Sequence, residues 1–271
     1  MHILGRLDRH ADFASAHVPP RNVDVWLPPG YEARDRRYPV VYMHDGQNLF
    51  DPAISFGGLD MGVDEALVRL MEAGQTAGAI VVGIWNRGDD RWREYMPRQA
   101  LAAPGALEHF QAEAGGDVLS DRYLEFLVDE LKPFVDGHYR TLPGRESTFI
   151  MGASMGGLIS LYALCQYPEI FGGAGCLSTH WPAGDGIVID YLRSALPPPG
   201  SHRFYFDHGT ETLDAQYEPY QQRADAILQA AGYRRGVDWI TRKFEGAEHS
   251  ERAWRQRVHI PLLFLLEGRE A

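Results

Sequence analysis

The sequence predicts an α/β fold in which a mainly parallel central sheet is covered by helices on both faces. Three observations carry that prediction. β-prone runs alternate with segments whose apolar residues recur at three- and four-residue spacing. The runs at 38–46, 79–86 and 147–153 are apolar nearly throughout, as strands buried on both sides must be. A serine set among glycines, in FIMGASMGGLISLY (149–162), falls between one such run and one such segment.

In chain order, strands are expected at NVDVWL (22–27), YPVVYMHDG (38–46), AIVVGIWN (79–86), STFIMGAS (147–154), GAGCLS (173–178), RFYFDHG (203–209) and VDWITRKFEG (237–246). Amphipathic helices are expected at VDEALVRLMEAG, DRYLEFLVDELKPFVDGHY, GGLISLYALCQY, YQQRADAILQAAGY and SERAWRQRV. Two stretches break the rhythm. Residues 86–120 are polar and punctuated by Gly and Pro where a parallel sheet needs only a short link, which suggests a lid-like insertion; YLRSALPPPGSH (191–202) reads as a connector. The expected organisation is a single domain over 1–271.

Composition narrows the function. The chain of 271 residues is 45% hydrophobic and 11% aromatic, enough for a substantial core. A formal charge of −11 argues against nucleic acid as a partner. The longest apolar candidate for a membrane span, HIPLLFLLEG, is too short and contains a proline. The amino terminus does not look like a secretory signal, so a cytoplasmic setting is expected. Cys165 and Cys176 lie in apolar segments and read as buried thiols. No HExxH or comparable cluster appears, and neither metal nor cofactor is expected. A small molecule is the expected partner, and a homo-oligomer is compatible with all of this.

Gly152-Ala153-Ser154-Met155-Gly156 matches G-x-S-x-G, a short pattern that gains meaning only from its strand–turn–helix setting. There, Ser154 sits at the carboxyl end of a central strand, where open α/β sheets bind ligands. A serine hydroxyl needs a base to take its proton, and His249, in a short loop after the last strand and before a helix that Ser250 can cap, fits that role. His44, His180 and His208 stand at strand ends, where they are placed to line a pocket. An acid must orient the imidazole; Asp207, Glu211 and Asp214 cluster after RFYFDHG, and spacing does not choose among them. Two backbone donors would hold an oxyanion: Met155 N–H, next to the serine, and Gln47 N–H, after a turn that Gly46 allows.

With these residues in view, the chain resembles the Putative esterase family of α/β-hydrolases, the group of esterase D-type, enterobactin and feruloyl esterases. The resemblance covers nearly the whole chain and rests on VWLPPGYE, YPVVYMHDGQNLF, IVVGIWN followed by REYMP, GASMGGLISLYAL, FDHGTETLD and GAEHSERAWRQR. It implies an α/β-hydrolase fold and serine carboxylic-ester hydrolysis without a cofactor. It assigns the nucleophile to Ser154, the base to His249 and the oxyanion donors to Gln47 and Met155. The acid departs from the pattern, because the position three residues after the glycine of GTET is Thr212, between Glu211 and Leu213. Asp214 is preferred because the chain has two more residues in which to curl over the sheet, with Glu211 the alternative. Trp85, Trp92 and Arg93, at the front of the 86–120 segment, are expected to bind substrate. An acyltransferase using the same acyl-enzyme and a noncatalytic binding protein of this fold are the competing functions. The family's substrates range over sugar esters, thioesters and siderophore lactones, so the resemblance leaves the particular ester open.

Overall fold

In the computed structural model, which describes residues 3–33 and 35–268, eight strands form one sheet. They are β1 (Arg6–Phe13), β2 (Arg21–Leu27), β3 (Val40–His44), β4 (Ile80–Ile84), β5 (Thr148–Ala153), β6 (Gly173–Leu177), β7 (Arg203–His208) and β8 (Trp239–Lys243). Their order is β1-β2-β4-β3-β5-β6-β7-β8. β2 pairs antiparallel with β1 and β4; from β4 to β8 every pair is parallel. Every residue of β3, β4 and β5 is buried, as their continuous apolar runs require.

The helices are α1 (Val63–Glu72), α2 (Arg91–Tyr95), α3 (Ala106–Ala114), α4 (Ser120–Glu125), α5 (Lys132–His138), α6 (Met155–Gln166), α7 (Ile187–Ala195), α8 (Glu218–Ala230), α9 (Glu251–Arg257) and α10 (His259–Leu266). Strand alternation sorts the core into two layers. Val41, Met43 and Met151 pack with Leu67 of α1, Trp254 of α9 and Leu265 of α10. Tyr42, Val82 and Ile150 pack on the other face with Tyr123 of α4, Leu158 of α6, Val188 of α7 and Leu228 of α8. The helix expected at 121–139 forms as α4 and α5 joined by wider, π-type winding over Phe126–Leu131. That winding runs into Pro133, which has no N–H to continue an α-helical ladder. No helix among the described residues is long and apolar enough to cross a membrane. Cys165 and Cys176 are buried and free.

Several elements were not expected, β1, α7 and α10 among them. β1, RLDRHADF, carries too many charges to read as a strand, yet it pairs with β2 at the sheet edge, where Arg9 donates to the buried Asp24 at 2.7 Å. α7 occupies the first half of what looked like a connector; Val188, Ile189 and Leu192 are buried, so the proline-rich link is confined to 196–202.

The 86–120 segment is also more ordered than its Gly and Pro content suggests. Tyr95, Met96, Leu101, Phe110 and Val118 are buried in the main core, and Trp92 stacks on Phe110 with ring centroids 6.2 Å apart. Glu94 reaches beneath α4 to a two-fold hydrogen-bonded pair with Arg21 of β2, at 2.8 and 2.6 Å, both side chains being nearly inaccessible. Removing one member leaves the other charge buried alone. Glu94→Ala should therefore lower the unfolding free energy by about 3–5 kcal/mol, read as a shifted urea midpoint at unchanged slope. A loss below about 1 kcal/mol would mean the segment is not tied to the sheet through this pair.

Candidate active site

The residues singled out at strand ends converge at the carboxyl edge of the parallel strands. Ser154 lies between β5 and α6 with φ 60° and ψ −122°, a conformation that L-residues avoid. Close backbone approach enforces it. A Cβ on Gly152 would stand 2.7 Å from the carbonyl carbon and oxygen of Gly156, so strand and helix can meet this tightly only with glycine there. The turn is pinned further by Ser154 N–H donating to Leu177 O at 2.9 Å and by Ser154 O accepting from His180 N–H at 3.1 Å. Such strain costs about 1–3 kcal/mol and is held by its surroundings.

His249 follows β8, and its Nδ1 is 2.6 Å from Asp214 Oδ1. Asp214 sits in the single-turn helix Thr212–Gln216 after β7. Its other oxygen accepts from Ser178 Oγ and from Gly209 N–H, each at 2.6 Å. Burial alone would raise the carboxyl; the hydrogen bonds from His249, Ser178 and Gly209 outweigh it and hold Asp214 below the ordinary aspartate range. The two loops meet because Gly209 lacks a side chain: a Cβ there would lie 2.1 Å from Ala247 O, which accepts from Thr210 and Glu211 N–H at 3.0 Å. Glu211 itself is exposed. Asp207 is buried elsewhere, accepting from Ser178 N–H, the Tyr205 hydroxyl and Arg257 at 3.0, 2.8 and 3.1 Å. Ser178 is fully used, since its hydroxyl accepts from Trp254 Nε1 at 3.0 Å and Arg257 at 2.8 Å while donating to Asp214. Ser178, Trp254 and Arg257 escaped the sequence reading; the only signal was their position at the end of β6 and on the helix after His249.

On the opposite side, β3 ends in a turn whose left-handed residue is Asp45, with φ 57° and ψ 46°. Gly46 is required for a different reason than expected. A Cβ there would meet the backbone of Gly83 at 2.5 Å, so its role is close approach to β4 rather than a positive φ. Asp45 accepts both arms of Arg91 at 2.7 and 2.8 Å and Asn86 Nδ2 at 2.7 Å, while its N–H donates to the Tyr95 hydroxyl at 3.3 Å. These contacts, Arg91 foremost, overcome burial and hold its carboxyl low. Among the described residues, neither Gln47 N–H nor Met155 N–H has a hydrogen-bond acceptor.

Between these two sides lies a cavity of about 390 Å³ whose walls include Ser154, His249, Gln47, Arg91, Phe56 and Trp254. Phe56 stands 79% exposed at the mouth, before Gly57 and Gly58, both at positive φ. His44 lines the floor; burial pushes its imidazole down to about 3, and His180, beside the site, is pushed down to about 4 by burial and by His249. His208 is buried with Nδ1 2.8 Å from Gly209 O.

Trp85, Trp92 and Arg93 do not line this cavity. Trp85 donates to Asp24 at 2.9 Å beneath the Arg9 guanidinium, toward β1. Trp92 faces Phe110, and Arg93 donates to Asp117 O and Asp90 at 2.8 and 3.1 Å. For the last two, α2 sets the phase: Arg91 and Tyr95, four apart, share the face turned to Asp45, while Trp92 also packs edge-on against His180, ring centroids 5.9 Å apart, behind the cavity wall.

The mainly parallel sheet with helices on both faces, carrying a strained serine at a strand-to-helix turn and a histidine on a late loop in one cavity wall, has the fold of esterases of the α/β-hydrolase type. The chain belongs to the Putative esterase family, whose model matches residues 18–260, and it is a carboxylic-ester hydrolase. It is 28% identical over 194 residues to Uncharacterized protein YbbA of Bacillus subtilis (strain 168), covering 70% of this chain and 68% of that one. It is 25% identical over 240 residues to the Endo-1,4-beta-xylanase/feruloyl esterase of Xylanibacter ruminicola, covering 87% of this chain but only 28% of that longer protein. A solved ferulic acid esterase superposes with TM-score 0.70 at 17% identity, over 97% of this chain and 98% of the other, a likeness of fold.

The strain at Ser154 can be measured. Ser154→Gly should be more stable than Ser154→Ala by about 1 kcal/mol, because glycine adopts the turn without steric cost. Equal thermal unfolding of the two variants would show that the turn is not strained.

Proposed function

We propose that the chain hydrolyses small-molecule carboxylic esters through an acyl-enzyme on Ser154, with His249 as base and Asp214 as the acid that orients it. The observation that carries this reading is the 2.6 Å contact from His249 Nδ1 to Asp214 in a cavity wall that Ser154 shares. A carboxylate held ionised can only accept, so His249 carries its proton on Nδ1 and presents Nε2 as the base. Nε2 takes the Ser154 proton as Oγ adds to the ester carbonyl, and the oxyanion meets the N–H groups of Met155 and Gln47. The proton then passes to the departing alcohol. Water repeats the sequence on the acyl-enzyme, releasing the acid and restoring Ser154.

Asn86, Gly88 and Arg91, at the front of the 86–120 segment, border the cavity, so in this reading substrate selection by the segment falls to its front. The feruloyl and ferulic acid esterases that the chain resembles make esters of ferulic acid natural first substrates.

Ser154→Ala should reduce turnover of a chromogenic ester by about 10⁴-fold or more, and a fluorophosphonate probe should label Ser154 in the parent and nothing in the variant. Labelling of another serine would move the site. Asp214→Asn should also lose about 10⁴-fold in kcat while Glu211→Gln keeps full activity. Full activity in Asp214→Asn would reduce the site to a Ser154–His249 pair.

A further inference from the structure

The charges in the cavity do not cancel. Asp45 and Arg91 form a bidentate pair and neutralise each other. Glu251, the first residue of α9 and two positions beyond His249, also opens on the cavity, and its one side-chain partner is neutral: Asn48 Nδ2 donates to it at 3.2 Å. The arginines around it are committed elsewhere. Arg91 serves Asp45, Arg252 serves Glu248, and Arg255 serves Asp60 and Glu65. Among the described residues, no cation stands within ion-pair distance of Glu251. Burial, with Asp45 nearby, raises its carboxyl above the ordinary glutamate range, and the opposing pull of His249 and Arg91 does not offset it.

We propose that Glu251 selects the substrate by charge, favouring esters that carry a cationic group and turning away esters that carry a carboxylate near the scissile carbonyl. The inference rests on the ester-hydrolase reading and names the class of ester the site takes. A half-buried wall screens less than water, so the unpaired charge is felt across the cavity. A structural alternative exists, since an acid in the first turn of a helix favours the helix dipole. That role would alter all esters alike, whereas a selecting charge alters their order.

The test uses the full chain at pH 8 and three p-nitrophenyl esters of matched acyl length, ending in a trimethylammonium, a neutral amide or a carboxylate. In the parent, kcat/KM for the carboxylate should fall below that for the amide by about 10-fold or more, with the trimethylammonium ester at least equal to the amide. Glu251→Gln should bring the three within about threefold, Glu251→Lys should reverse the order, and Glu251→Asp should keep it. The same esters are titrated by calorimetry into Ser154→Ala and Ser154→Ala/Glu251→Gln, which bind without turnover. An order unchanged by Glu251→Gln in both turnover and binding overturns the proposal. Charge-ranked binding that Glu251→Gln abolishes, in a parent that hydrolyses none of the esters, upholds Glu251 as the selector and overturns the ester-hydrolase reading instead.

Discussion

The buried carboxylate of Asp214 is the constraint on which the site's geometry rests. It needs several donors to remain ionised away from water, and the chain supplies them from three separate elements: Ser178 after β6, Gly209 after β7 and His249 after β8. Each donor ties its own loop to the same point, so three loops that could wander are drawn over one edge of the sheet. Behind them, Arg257 of α9 bonds both Ser178 and Asp207, carrying the restraint into a helix packed on the sheet. The orientation of His249 thus follows from satisfying one acid.

A second buried carboxylate organises the facing side by the same logic. Asp45 gathers Arg91 and Asn86 from the segment after β4 and so fixes the turn that carries Gln47. That segment is in turn anchored to β2 through Glu94 and Arg21. The two carboxylates bracket Ser154, whose own position needs no polar hub, being set by backbone contact between Gly152 and Gly156.

What could be read from the sequence follows from which forces are local. The all-apolar β3, β4 and β5 and the strand–serine–helix junction are legible because burial and turn geometry are written within a few neighbouring residues. β1 is not, since RLDRHADF becomes a strand only through pairing with β2, a contact its own residues do not announce. α7 is poorly legible because its nine residues carry only a short apolar stripe, Val188, Ile189 and Leu192, directly before a run of prolines. At the site, loop length pointed to Asp214, and Asp214 is the residue paired with His249. Its support by Ser178 and Arg257 joins residues 36 and 43 positions away on either side, beyond the reach of any motif. Trp92 and Arg93 have side chains suited to a substrate, but a five-residue helix is too short to reveal its phase, and Arg91 is the neighbour that turns inward, while Trp85, just after β4, turns to Asp24.

The mouth of the cavity divides into residues that are free to vary and residues that are not. Arg91 touches the space a substrate would fill, but it also holds Asp45, so replacing it disturbs the turn at Gln47. Phe56 touches the same space and stands 79% exposed. Both glycines after it stand at positive φ, so a side chain at either would be strained although no other group lies within 4 Å. Divergence among descendants of this chain therefore has an inexpensive route at 56 and a costly one at 91, and new substrate ranges would evolve first at the exposed ring.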